Sequence, residues 1–189
     1  MKVSKYVFML MLFALTFSCG KSMSKQSADK EGFTAIEKEL KAKFGNNAHY
    51  TDLNISYDKS VGNMIGLTVT DAPETLKMGS YVFSEHTSWK QNSEVTIEIP
   101  KGTKAKDYMF QLDDKINLTK LGELVEKSKE QLTTDKDLKN PSFKMGFIKY
   151  PKNGDISKAE YIIKLEPQNG GTSFSFYYKL NGDLIKMDY

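Results

Sequence analysis

The chain of 189 residues contains no arginine: all 27 of its basic residues are lysines. Nucleic-acid binders rely on arginine forks and a strong positive excess, and neither is present at a formal net charge of +3. A single cysteine excludes a disulfide framework within the chain and argues against a cysteine zinc site. With only 2 histidines, His49 and His86, there is no His-x-x-x-His pair, and no EF-hand spacing occurs. Asp113-Asp114 is a lone acidic pair before Lys115 and reads as a solvated turn. No metal and no cofactor is expected.

Catalytic types are equally scarce. Glu85, His86 and Ser88 are the residue types of a hydrolytic triad. In a strand, however, Glu85 and His86 would point to opposite faces, and no Gly-x-Ser-x-Gly elbow exists. Gly170-Gly171-Thr172 leads into a strand rather than a helix, so it reads as a turn and not as a phosphate cradle. Two suitably spaced acids could still support carboxylate chemistry. Nothing in the sequence selects a pair, and an envelope hydrolase with an unrecognised carboxylate site stands only as the alternative to a non-catalytic binding module.

What is present begins at the N-terminus. Lys2 and Lys5 precede an uncharged, apolar run from Tyr6 to Phe17. As a helix that run would span about 18 Å, too short for a hydrocarbon core of about 30 Å. This is the shape of an export signal rather than an anchor. It ends in Thr16-Phe17-Ser18-Cys19, which resembles the lipobox of bacterial lipoproteins in the looser form of Bacteroidota. The resemblance implies removal of residues 1–18, a diacylglyceryl group on the Cys19 thiol and attachment to an envelope membrane. Lys2 and Lys5 leave with the signal, so most of the net charge belongs to it. Gly20-Lys21-Ser22 is not the acidic run that often follows the cysteine of surface-exposed members. The resemblance therefore implies an outer-membrane lipoprotein facing the periplasm. Small, polar residues through 32 read as a flexible tether.

The body repeats a pattern. Phe33, Ile36, Leu40 and Phe44 form one helical stripe, with Thr34 and Glu37 as a possible capping box, predicting a helix over 34–44. Four alternating segments follow, centred on Leu53–Tyr57, Ile65–Val69, Tyr81–Phe83 and Val95–Ile99. A second stripe, Leu118, Leu121, Val125 and Leu132, has Asn117 as its candidate cap. Four more strands are expected, around Phe143–Phe147, Tyr161–Leu165, Phe174–Leu180 and Leu184–Asp188. The expectation is an α+β fold of two α-β-β-β-β halves, 33–100 and 117–189, joined by a connector at 101–116 that carries Tyr108, Phe110 and Leu112 at period two. Two amphipathic helices would cover one face of an antiparallel sheet. The order of elements resembles the tandem repeats of beta-lactamase inhibitor proteins and small periplasmic domains of the PepSY type.

One surface stands out. If Phe143, Met145 and Phe147 face the core, then Ile148 and Tyr150 face outward, as do Ile162 and Tyr177 on the following strands. These four predict an apolar patch on the outer sheet face that is covered either internally, by the first half or the 101–116 segment, or by an envelope protein or a small ligand. Trp89, in a polar stretch, is a second candidate anchor.

Overall fold

The computed structural model describes residues 22–189. Its sheet is built from β1 (His49–Asp58), β2 (Gly62–Thr70), β3 (Lys77–Ser84), β4 (Ser88–Thr96), β5 (Ser142–Lys149), β6 (Glu160–Glu166), β7 (Phe174–Lys179) and β8 (Leu184–Asp188). The eight strands form one antiparallel sheet in the order β4-β3-β2-β1-β5-β6-β7-β8. Helix α1 (Lys30–Phe44) precedes β1 and helix α2 (Leu118–Lys136) precedes β5. The α+β architecture of two α-β-β-β-β halves is therefore present, with the halves meeting where β1 pairs with β5.

Helix α1 starts one turn earlier than its apolar stripe requires. Asp29 is the N-cap and accepts from the Gly32 N–H at 2.8 Å. The expected Thr34–Glu37 box does not form: Thr34 is inside the helix and donates back to the Lys30 carbonyl. Gly45, at φ 96°, ends the helix in a conformation that favours glycine. In α2 the expected cap holds, with the Asn117 side chain accepting from Lys120 N–H at 2.7 Å. The helices touch closely at Gly122, where a Cβ would collide with the backbone of Asp29 and Lys30.

One continuous apolar core lies between helices and sheet. Phe33, Ile36 and Leu40 of α1 and Leu118, Leu121, Val125 and Leu132 of α2 meet Leu53, Ile55, Ile65, Ile163 and Phe176 of the sheet. Phe33 and Phe143 cross edge to face at 5.4 Å. The strand periodicity of β1, β2, β6 and β7 is as expected. In β5 it is not. Between Phe143 and Met145 the register against β6 shifts, because Lys144 is an extra residue facing no partner of its own. A bulge reverses the parity of everything after it.

The connector is not a free linker. It forms a short 3-10 turn at Ala105–Tyr108, and Phe110 then bridges to Tyr50 through two backbone hydrogen bonds of 2.8 and 2.9 Å. Phe110, Leu112 and Ile116 are buried. Ile97 and Ile99 lie beyond the end of β4 and pack with Met78, Ala105 and Met109 in a small second cluster.

Residues 22–32 also differ from the tether reading. Met23–Lys25 make a 3-10 turn, Ser24 is buried, and α1 begins at Lys30. The side-chain amide of buried Asn63, at the start of β2, donates to the carbonyls of Met23 and Gln26 at 3.0 and 2.7 Å. Its neighbour Gly62, at φ 79°, leaves no space for a Cβ because the Ser24 carbonyl lies against it. The segment 22–29 is thus a strap clasped to the β1–β2 hairpin. Cys19 and the signal segment lie outside the described residues.

Candidate functional site

The bulge at Lys144 decides which residues face outward. Cross-strand partners share a sheet face. Ile148 is opposite Leu53 of the core, 4% exposed, and itself part of the core. Tyr150 packs against the same core and its ring lies 5.7 Å from Phe110. Both were expected on the outer face, and both are on the helix side, because the extra residue in β5 flips them. Ile162 and Tyr177 are outward as expected.

Phe147 takes the vacated place. Along one row of the outer face the register reads Gly66, Asn54, Phe147, Ile162, Tyr177 and Lys186, each opposite the next. Met145 lies in the adjacent row, opposite Ser56. Phe147, Ile162 and Tyr177 belong to neither apolar cluster of the interior. Ile162 is nonetheless only 4% exposed, flanked by Phe147 and Tyr177. Lys186 sits over the Tyr177 ring at 4.5 Å and pairs with Asp188 at 2.6 Å. Lys149 pairs with Glu160 at 3.0 Å beside the same strip. The result is an aromatic centre on β5–β7 with a charged rim, continuing onto a mixed half where Asn54, Ser56, Thr68 and Ser80 share the face with Met64 and exposed Val82. A centre of this kind within a polar surround is the usual composition of a protein contact surface.

Trp89 is not a protruding anchor. It is opposite Phe83, its ring is 5.2 Å from Phe44 edge to face, and Lys43 lies 5.8 Å over it. It closes the sheet edge over the end of α1. No sequence signal separated this placement from an exposed one, since β4 is exposed apart from Trp89 and polar apart from Trp89 and Val95.

A cleft of about 1120 Å³ lies at the opposite end of the strands from the connector. The strap, the β1–β2 hairpin and the segment after α2 line it, with Lys25, Lys59, Lys129 and Lys139 around Tyr57 and Phe143. Lys25 pairs with Glu85 at 2.9 Å, Lys59 donates to the Gln168 carbonyl at 2.8 Å, and Lys129 to the Ala28 carbonyl at 3.2 Å. Loss of water around the Lys129 ammonium pulls its pKa below the ordinary lysine value, against the attraction of Asp29 and Glu126.

The groups that could do chemistry are occupied or apart. Glu85 is engaged with Lys25 and His86 is exposed in the β3–β4 hairpin. Buried Glu37 accepts from Leu118 N–H and Lys41. His49 has its Nδ1 buried without a partner, and burial pulls its pKa down. Among the described residues no three His, Cys, Asp or Glu side chains group as metal ligands, and no helix is long and apolar enough to cross a membrane.

Fold and surface together define a two-layer α+β protein whose helices cover one face of the sheet and whose other face carries an aromatic strip. Comparison of the chain with protein-family models, curated proteins and solved structures finds no match.

Proposed function

We propose that this chain is a cell-envelope lipoprotein, anchored through acylated Cys19 to the outer membrane and facing the periplasm. Its body acts as a non-catalytic interaction module. The observation that carries the binding role is the strip Phe147–Ile162–Tyr177, three large apolar side chains in register on the face opposite the helices and outside both apolar clusters. The occupant is an envelope protein presenting apolar side chains of its own, since the strip is rimmed by the Lys149–Glu160 and Lys186–Asp188 ion pairs, the apolar centre and charged rim of a protein contact. The lipobox-like Thr16-Phe17-Ser18-Cys19 supports the anchor, because a diacylglyceryl group plus an N-acyl chain exceeds the two-chain requirement for stable attachment.

Two experiments test the proposal. Metabolic labelling with a palmitate analogue should mark the wild type and leave Cys19→Ala unlabelled and released from membranes. Label retained in the variant would remove the anchor from the account. A photo-crosslinking residue at Tyr177 should give a discrete adduct in cells, absent when it is placed at Lys38 on α1, and abolished by Phe147→Lys. Identical adducts from both positions, or none from Tyr177, would end the binding assignment.

A further inference from the structure

The clasp on the strap has a geometric consequence for a protein anchored at Cys19. Residues 22–29 cannot pay out as leash while Asn63 holds the Met23 and Gln26 carbonyls and Ser24 is buried against Gly62. Between Cys19 and Ser22 there are only three Cα–Cα steps, a reach of about 11 Å at full extension. The acyl chains place Cys19 at the headgroup level, so the end of the body where the strap is fastened must lie within that distance of the bilayer.

That end is the one bearing the lysine-lined cleft. It comprises the β1–β2 hairpin with Lys59, the strap with Lys25, and Lys139 after α2, with Lys129 reaching in from the helix. Glu85 is the one carboxylate among the cleft-lining residues and pairs with Lys25; Asp58 stands in the same hairpin, and Asp29 and Glu126 act on Lys129, so Lys59 and Lys139 carry most of the positive face. At physiological ionic strength charges interact over about 8 Å, so a short leash brings these ammonium groups within range of anionic headgroups, and a long one would not.

We infer that the body docks directly on the membrane, its strap end and lysine-lined cleft against a bilayer surface bearing anionic headgroups. This rests on the lipoprotein reading above. The strands then rise away from the lipid. β5 runs from Ser142 at the base to Lys149 at the far end, about 23 Å at strand rise. The aromatic strip, half-buried at Phe147 and Tyr177, then stands above the headgroups on a sheet face directed along the membrane plane. The anchor and the strap therefore set the height and heading of the binding face; they do not merely retain the protein.

The test uses the full chain, exported and acylated, and reconstituted into vesicles of phosphatidylethanolamine and phosphatidylglycerol. Acylation occupies the Cys19 thiol, so an introduced cysteine is the one thiol free for a fluorophore. Ser60→Cys puts the label at the tip of the β1–β2 hairpin; Lys152→Cys puts it in the exposed turn between β5 and β6 at the other end. A headgroup-attached nitroxide should quench the Ser60→Cys label several-fold more than the Lys152→Cys label. Equal quenching, or stronger quenching at residue 152, would overturn the docked orientation. The mass of the mature N-terminus is read on the same preparations. An acylated terminus with equal quenching removes the orientation alone; a terminus without acyl chains removes the lipoprotein reading and the orientation with it.

Discussion

Replacing Glu37 with alanine should destabilise the body by about 3 kcal/mol, whereas Glu37→Gln should cost only about 1 kcal/mol. Glu37 is on α1, but its work is done on α2. Its Oε2 accepts from Leu118 N–H at 2.7 Å, the first residue of α2, and its Oε1 accepts from Lys41 at 2.6 Å. A helix leaves its first N–H groups without internal partners, and a carboxylate there also meets the positive end of the helix dipole. Asn117 satisfies the Lys120 N–H, and Glu37 satisfies Leu118 from across the helix interface. Alanine would strand a buried donor next to an emptied space. Glutamine keeps an acceptor and loses the charge. Urea denaturation of the three proteins reads the difference directly. Equal losses in both variants would mean that charge, rather than the acceptor, is what Leu118 needs.

The same carboxylate shows where the sequence could be read and where it could not. Asn117 was legible as a cap because an isolated Asn stands before a clean apolar stripe, and the structure uses it so. Thr34 and Glu37 fit a capping pattern equally well, yet α1 begins at Lys30 and Glu37 serves another helix. A local pattern cannot show a partner 81 residues away. The outer face was half legible for a related reason. β6 keeps strict alternation, as does β7 through Tyr177, so parity placed Ile162 and Tyr177 outward. The stretch Phe143 to Tyr150 has apolar residues at both parities, Phe143, Met145 and Phe147 against Ile148 and Tyr150. The bulge at Lys144 chooses between them, and a lysine in a bulge looks like any solvent-facing lysine. In sequence the strap looks like a tether, because Gly20 to Gly32 is small and polar. What holds it is one buried asparagine in the following hairpin, and the pairing has no signature in the strap itself.

Alkaline titration should destabilise this protein between pH 10 and 12, and three buried tyrosines contribute to the loss. Tyr161 is fully buried, its phenol pushed up to about 12 by loss of water, opposed by its hydrogen bonds with Asn117. Burial also raises Tyr50, whose hydroxyl is buried without a partner, and Tyr178, whose hydroxyl is hydrogen-bonded to Ser128 at 2.8 Å. In the unfolded chain a tyrosine ionises near pH 10. Above that pH the unfolded state gives up protons that the folded state keeps, so stability falls as pH rises. The contribution is fully present below pH 10 and is lost between pH 10 and 12, about 3 kcal/mol for Tyr161 alone. Tyr161→Phe separates this from general alkaline damage. The hydroxyl accepts from Asn117 N–H at 2.9 Å and donates to Asn117 carbonyl at 3.1 Å. The variant should therefore be less stable at pH 8 by about 1–2 kcal/mol, and should then lose less stability on the way to pH 12. Urea midpoints at fixed pH steps give both quantities. A wild-type slope retained in Tyr161→Phe would move the titration to Tyr50 or Tyr178 and take Tyr161 out of the account.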